Sequence, residues 1–277
     1  MKYISTTGNG PQRSFREAVL GNLPNDGGLF FPAEIPQLDS EFLASVSEVS
    51  LSEVATHVLS PFCIEDIDQG SLERIAERVF NFPIPLVKVS EGIHCIELFH
   101  GPTFAFKDAG ARFLAECMAH FNTSDQQETI VLVATSGDTG GAVASGFLGV
   151  EGVRVVVLYP KGKVSELQEQ QLTTLGQNIT ALEVSGTFDD CQNMVKQAFA
   201  DQELNQKLNL SSANSINIAR WLPQSLFYYV PLQYGMKNVT ISVPSGNYGN
   251  LTSGILAKKM GVPIKQFIAA SNANDVV

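Results

Sequence analysis

The sequence is poor in the residues that mark secreted, metal-bound or nucleic-acid-binding chains. Only four of its 277 residues are cysteine (Cys63, Cys95, Cys117 and Cys191), they are widely scattered, and no C-x-x-C occurs. That excludes a disulfide framework and points to reduced, mostly buried thiols. The four histidines (His57, His94, His100 and His120) show no ligand spacing, so no metal site is expected. Cations are few: 18 Lys and Arg face 28 Asp and Glu, a net charge of −10. Nucleic-acid and anionic-membrane surfaces need clustered Lys and Arg, so neither partner is expected, while a local pocket can still take an anionic small molecule. No apolar run reaches the length of a signal-peptide core or a membrane span, and the expected setting is the cytoplasm.

What is present is a 44% hydrophobic chain, enough for a sizeable core in one large domain or two ordinary ones. The first eighty or so residues read as helix-rich. SFREAVLGNL starts at a plausible N-cap, Ser14, and is stopped by PNDGG. EFLASVSEV, SEVATHVLSPF and SLERIAERVFNF carry apolar residues at helical spacing. From residue 84 the rhythm changes to strands of β-branched residues alternating with helices: IHCIELF, TIVLVATS, VRVVVLYP, ITALEVS, NLSSAN, NVTISVPS and KQFIAASN are the strands. A helix over NIARWLPQSLFYYVPLQYG is expected to break near Pro223. The pattern predicts an α/β fold, a mostly parallel sheet with helices on both faces, behind a small helix-rich domain. The junction is placed at NFPIP (81–85), which gives domains 1–83 and 84–277. The last strand runs into SNANDVV with no helix to cover it. A doubly wound sheet finishes its crossovers, so an N-terminal part of a longer protein is expected.

Three stretches carry chemistry. ATSGDTGGA (134–142) links a strand to a helix, where backbone N–H groups and a helix N-terminus can meet a carboxylate or phosphate. A tight turn that needs glycine only for its backbone angles fits as well. VPSGNYGNLTSG (243–254) repeats the arrangement and matches neither the nucleoside-triphosphate loop nor the dinucleotide fingerprint. Two such loops at strand ends of one sheet would set a ligand pocket at that edge. In LFHGPTFAFKD (98–108), Lys107 stands beside Phe104 and Phe106. Most lysines belong on a solvated surface, and an apolar wall favours the neutral amine over the ammonium. Asp108 would oppose this if it pointed inward, so it is expected to turn away into the following helix N-terminus.

Taken together and in this order, FKD around Lys107, ATSGDTG, SANSINIAR and VPSGNYGN resemble the threonine synthase family, pyridoxal-phosphate enzymes of the tryptophan-synthase-β or fold-type-II class. The likeness runs from NDGGLFFP to the last residue and is closer to the bacterial and fungal type, with its extra N-terminal domain, than to the plant type. It implies pyridoxal 5′-phosphate as cofactor, held covalently by Lys107. Its phosphate would lie on Ser245, Gly246, Asn247, Tyr248, Gly249 and Asn250, and Asp138 would face the ring's phenolic side. Relatives of this fold often carry Asn where Asp138 stands. Thr135, Ser136, Gly137 and Thr139 would meet the substrate carboxylate.

In SANSINIAR, Asn214, Ser215, Asn217 and Arg220 are candidates for the substrate phosphate; an arginine on a helix surface is the other reading of Arg220. The family's partner for the pyridine nitrogen has no match in this sequence. The implied activity is a carbon–oxygen lyase that converts O-phospho-L-homoserine and water to L-threonine and phosphate, the last step of threonine biosynthesis. A segment around 108–230 is expected to close over the ligand. The alternatives are a phospho-lyase or dehydratase of the same fold, or an inactive truncated fragment.

Overall fold

The computed structural model describes residues 1–273 apart from 22, 25, 123–127, 215, 245 and 246, and for residue 205 the backbone alone. The chain opens with β1 (Tyr3–Ser5), α1 (Phe15–Leu20) and β2 (Phe30–Pro32), then α2 (Ser40–Ser45), a 3₁₀ turn over Val46–Glu48, α3 (Leu51–Cys63) and α4 (Gln69–Val79). The helix starts follow from the sequence. Ser14 and Ser50 form capping boxes with Glu17 and Glu53, and Asp68 caps α4. β1 and β2 pair antiparallel.

Next come a hairpin of β3 (Leu86–Ser90) and β4 (Ile93–Ile96), then α5 (Asp108–Asn122), β5 (Thr129–Ala134), α6 (Asp138–Phe147), β6 (Val153–Pro160), α7 (Glu166–Thr173), β7 (Ile179–Val184), α8 (Phe188–Ala200), α9 (Gln202–Lys207) and β8 (Asn209–Ser212). β7, β6, β5 and β8 form a four-stranded parallel sheet in that order. The chain ends with α10 (Ile218–Trp221), a 3₁₀ stretch Leu222–Tyr229, α11 (Val230–Gln233), β9 (Val239–Pro244), α12 (Gly249–Lys259) and β10 (Ile264–Ala270), with β9 and β10 parallel. The expected mostly parallel α/β architecture behind a helix-rich N-terminal part is present.

The expected break near Pro223 is present: the segment is three short pieces, α10, 3₁₀ and α11, because Pro223 and Pro231 each remove a donor from the ladder. One expectation is corrected. The two glycine-containing loops do not follow strands of one sheet. The first follows β5 in the four-stranded sheet, and the second follows β9, which among the described residues pairs only with β10. Strand periodicity identifies strands but carries no information on which strands share hydrogen bonds. The hairpin strand β3 escaped the sequence reading, although LVKVS alternates as a strand should.

The N-terminal part is sewn to the rest. Phe15 meets Phe113 in a tilted contact and Phe121 edge-on, with ring centroids 6.4 and 6.2 Å apart, and Phe31 stacks on Trp221 at 5.3 Å. The Asn217 amide donates to Val19 O at 2.8 Å. One continuous apolar cluster therefore spans both parts. All four cysteines are free thiols, and Cys63, Cys117 and Cys191 are buried.

Candidate active site

Lys107 stands in the last turn before α5, one-fifth exposed, and its Nζ donates to Asp138 Oδ1 at 2.6 Å. Asp138 is the first residue of α6, so the ion pair joins two helix starts. The apolar wall around the lysine is one-sided. Phe106 is half-buried with Nζ 5.5 Å from its ring centroid, but Phe104 is 67% exposed and turned outward. Aromatic neighbours in sequence predicted desolvation by both; Phe104, in a left-handed backbone conformation, and Phe106 line the same cavity, but Phe104 stays too exposed to desolvate the amine. Asp108 turns away from Lys107 as expected, but not into the helix N-terminus: it is buried, and its carboxylate takes two hydrogen bonds from Thr103.

The loop after β5 is shaped by Thr135. Its buried hydroxyl accepts from Gly137 N at 3.2 Å and Gly140 N at 2.9 Å and donates to Gly137 O. Thr135 therefore builds the turn instead of reaching into it, while Ser136 is exposed and Gly137 and Thr139 are half-buried at the surface of the same turn. A Cβ on Gly140 would lie 2.4 Å from Thr135 Cγ2 and 2.9 Å from Leu172, and one on Gly141 would lie 2.8 Å from Gln171 Oε1. Gly140 is needed for the close approach of α6 to Thr135 and to Leu172 of α7, a reason of protein packing and not of ligand approach, whereas the Gln171 amide near Gly141 could turn aside.

In SANSINIAR the structure separates the candidates. Asn214 is half-buried. Ser215 lies outside the described residues. Asn217 is buried and occupied at both ends of its amide, accepting from Ala219 N as the cap of α10 and donating to Val19 O. Arg220 is no surface residue: it is fully buried, and Nη1 donates to Ala213 O. Its Nε and Nη2 have no partner among the described residues. Burial pushes its pKa down to about 10, and the nearby Asp138 charge partly offsets this. α10 reaches this depth because α5 has Gly110 at the crossing, where a Cβ would come within 2.3 Å of Arg220 O.

Ser245 and Gly246 also lie outside the described residues. Asn247 is exposed, and Tyr248 adopts a left-handed backbone (φ 56) immediately before α12, which Gly249 opens. Asn250 closes the loop: its Nδ2 donates to Pro244 O at 2.8 Å, and its own carbonyl accepts from the Tyr228 hydroxyl at 2.6 Å. A cavity of about 1010 Å³ opens beside these groups, lined by Phe106, Tyr228, Pro244 and Asn250 among others. Sequence reasoning missed Tyr228; a tyrosine in an apolar run carries no sign that its hydroxyl holds a loop backbone.

The donor set suits pyridoxal phosphate. An amine for its aldehyde is present in Lys107, and a carboxylate for its ring face in Asp138. The start of α12 offers N–H groups to its phosphate, and the buried Arg220 keeps Nε and Nη2 without a partner among the described residues. Among the described residues no group of His, Cys, Asp and Glu side chains could hold a metal ion, and no helix is long and apolar enough to cross a membrane.

Comparison with known proteins agrees with this geometry. Residues 2–80 match the threonine synthase N terminus family, and residues 83–277 match the pyridoxal-phosphate dependent enzyme family. A curated threonine synthase from Buchnera aphidicola subsp. Acyrthosiphon pisum is 46% identical over 282 residues, covering 100% of this chain and 66% of its own length. The crystal structure of threonine synthase from Escherichia coli superposes with a TM-score of 0.92 at 44% identity, over 100% of this chain and 65% of that one. A PLP-bound threonine synthase from Brucella melitensis gives a TM-score of 0.94 at 41% identity, over 99% of this chain and 61% of that one. The chain thus spans just under two thirds of the length of the first curated relative it matches.

Proposed function

This chain belongs to the pyridoxal-phosphate dependent enzyme family, and from that premise we propose that it carries the catalytic lysine and phosphate sites of a threonine synthase, acting on O-phospho-L-homoserine and water to give L-threonine and phosphate. The observation that carries the reading is the Lys107–Asp138 pair near a buried arginine whose Nε and Nη2 have no partner among the described residues. The N-terminal match and the named relatives support this activity over a simple elimination on the same fold. A cytoplasmic setting is part of the proposal, supported by the four free thiols.

Bound at this site, the cofactor supplies an electron sink for the charge that develops at the substrate's Cα. The protein's own groups do the rest. Lys107 would hold the cofactor through its amine and would move the protons at the substrate's Cα and Cβ. Asp138 is the partner of the Lys107 ammonium and would hold the phenolic side of the cofactor. Ser245, Gly246, Asn247, Tyr248, Gly249 and Asn250 would hold the cofactor phosphate. Ser136, Gly137 and Thr139 meet the substrate carboxylate, with Thr135 holding their turn. Arg220, with Asn214 and Ser215, holds the phosphate that leaves from Cγ before water adds at Cβ, while Asn217 keeps α10 in place. Closure of the segment around 108–230 excludes water during the proton transfers.

The test is to incubate the protein with pyridoxal phosphate and O-phospho-L-homoserine and to assay phosphate and threonine together. Equal release of both supports the reading. Turnover of serine or threonine in place of O-phospho-L-homoserine would assign a dehydratase instead.

A further inference from the structure

The turn that presents Lys107 is closed by its neighbour in sequence. Asp108 is 1% exposed, and the Thr103 N–H donates to Oδ2 at 3.0 Å while the Thr103 hydroxyl donates to Oδ1 at 2.5 Å. This is not an ordinary helix cap, because the bonds run back five residues instead of forward into the first turn of α5. Gly101 lies flat on the same carboxylate, where a Cβ would come within 2.4 Å of Oδ2. Inside the ring so formed, Phe104 adopts φ 60, a left-handed conformation that L-residues with a side chain avoid. Phe104 N–H bonds Gly101 O at 3.1 Å, and Asp108 N–H bonds Ala105 O at 3.0 Å. A strained turn persists only where its surroundings over-determine it, and the buried carboxylate is the group that does so here.

We propose that Asp108 is a positioning residue: with Thr103 it clamps the 101–107 turn and so aims Lys107 at the start of α6. The inference rests on the reading of Lys107 as the reacting amine. The carboxylate does not act on the lysine directly, since Nζ is held by Asp138. Its role is to fix the backbone from which Lys107 reaches that partner. A broken clamp lets the turn relax out of its left-handed conformation and swings Nζ away from Asp138 into solvent.

The test is amine labelling of the full chain without cofactor, using limiting acetic anhydride at pH 8 with mass-spectrometric readout. Lys88, exposed on β3 and paired with Glu91, serves as internal reference. Thr103→Val removes the hydroxyl donor, Thr103→Ser keeps it, and Asp108→Asn removes the carboxylate. Thr103→Val and Asp108→Asn should raise Lys107 labelling relative to Lys88 about two- to fivefold, the factor set by losing a partly exposed ion pair. Thr103→Ser should stay at the parent level. Circular dichroism and thermal melting establish folding; if Asp108→Asn does not fold, the Thr103 pair decides. A folded Thr103→Val protein with unchanged Lys107 labelling overturns the proposal. Pyridoxal phosphate is added to the parent protein in a separate arm. Absence of visible absorbance there would count against the cofactor reading and leave the labelling result standing.

Discussion

Lys107 Nζ and Asp138 Oδ1 lie 2.6 Å apart across 31 residues of chain, bringing the start of α5 to the start of α6. The pair is partly solvated, with 21% and 44% of the two side chains exposed, so it contributes about 1 kcal/mol or less to stability. Its meaning is geometric: it marks the point where an amine, a carboxylate and a helix N-terminus converge.

Lys107→Ala should abolish covalent capture of pyridoxal phosphate while leaving the fold intact, because the side chain ends at the surface of the site. The check is visible absorbance on adding the cofactor, followed by borohydride reduction and peptide mapping. A reduced adduct on any other lysine as the main product would refute the assignment.

Arg220 is a buried cation whose pKa burial pushes down to about 10. A base with a lowered folded pKa penalises the fold at every pH below that value, and the penalty is relieved only as pH rises above it. Such a penalty is on the order of a few kcal/mol. Arg220→Met should therefore be about 1–2 kcal/mol more stable in the absence of anions, after loss of the bond to Ala213 O. Inorganic phosphate should raise the Tm of the parent protein and not of the variant. A phosphate shift that survives the substitution would remove Arg220 from the anion site.

Asn217→Ala removes both the cap of α10 and the bond to Val19 O. The expected loss is about 1–3 kcal/mol in urea unfolding, since a buried carbonyl is left without its donor. A loss within experimental error would mean that α10 is held by packing alone.

Gly110→Ala forces a methyl against a backbone carbonyl of α10, which cannot rotate away. Overpacking of this kind costs about 1–3 kcal/mol. The phosphate-dependent Tm shift should fall with stability, because Arg220 rides on the displaced segment. Unchanged stability and phosphate response would refute the close crossing of α5 and α10.

Helix caps govern the acid limb. The carboxyls of Glu53, Asp68 and Asp190 are held below their ordinary values, 4.5 for Glu and 3.8 for Asp, chiefly by hydrogen bonds from Ser50, Ser71 and Thr187. An acid with a lowered folded pKa stabilises fully above its unfolded value, and that contribution is lost as pH falls through the lower folded one. Tm should therefore drop as pH falls below about 4.5, and Glu53→Gln should flatten the upper part of that drop. Melting curves between pH 3 and 7 provide the measurement.

Local pattern made much of this molecule legible. Ser14 and Ser50 announced helix starts because a cap and its partner three residues on are both in the sequence. The β-branched runs announced parallel strands because buried strands are apolar on both faces. Lys107, ATSGDTG and VPSGNYGN stand out as candidates because a reacting amine and anion-binding loops need those residue types. What no local pattern holds is which distant groups meet. That Asp138 takes Lys107, that Thr135 and Asn217 serve the scaffold, that Arg220 is buried, and that the two loops follow different sheets are outcomes of tertiary packing. Glycine at 110 and 146 permits those contacts, but the energy that selects them comes from burying the whole apolar cluster at once. Sequence determines which elements form and what chemistry they can carry; the tertiary structure decides partners, because burial and close packing are properties of surfaces that meet only in the folded chain.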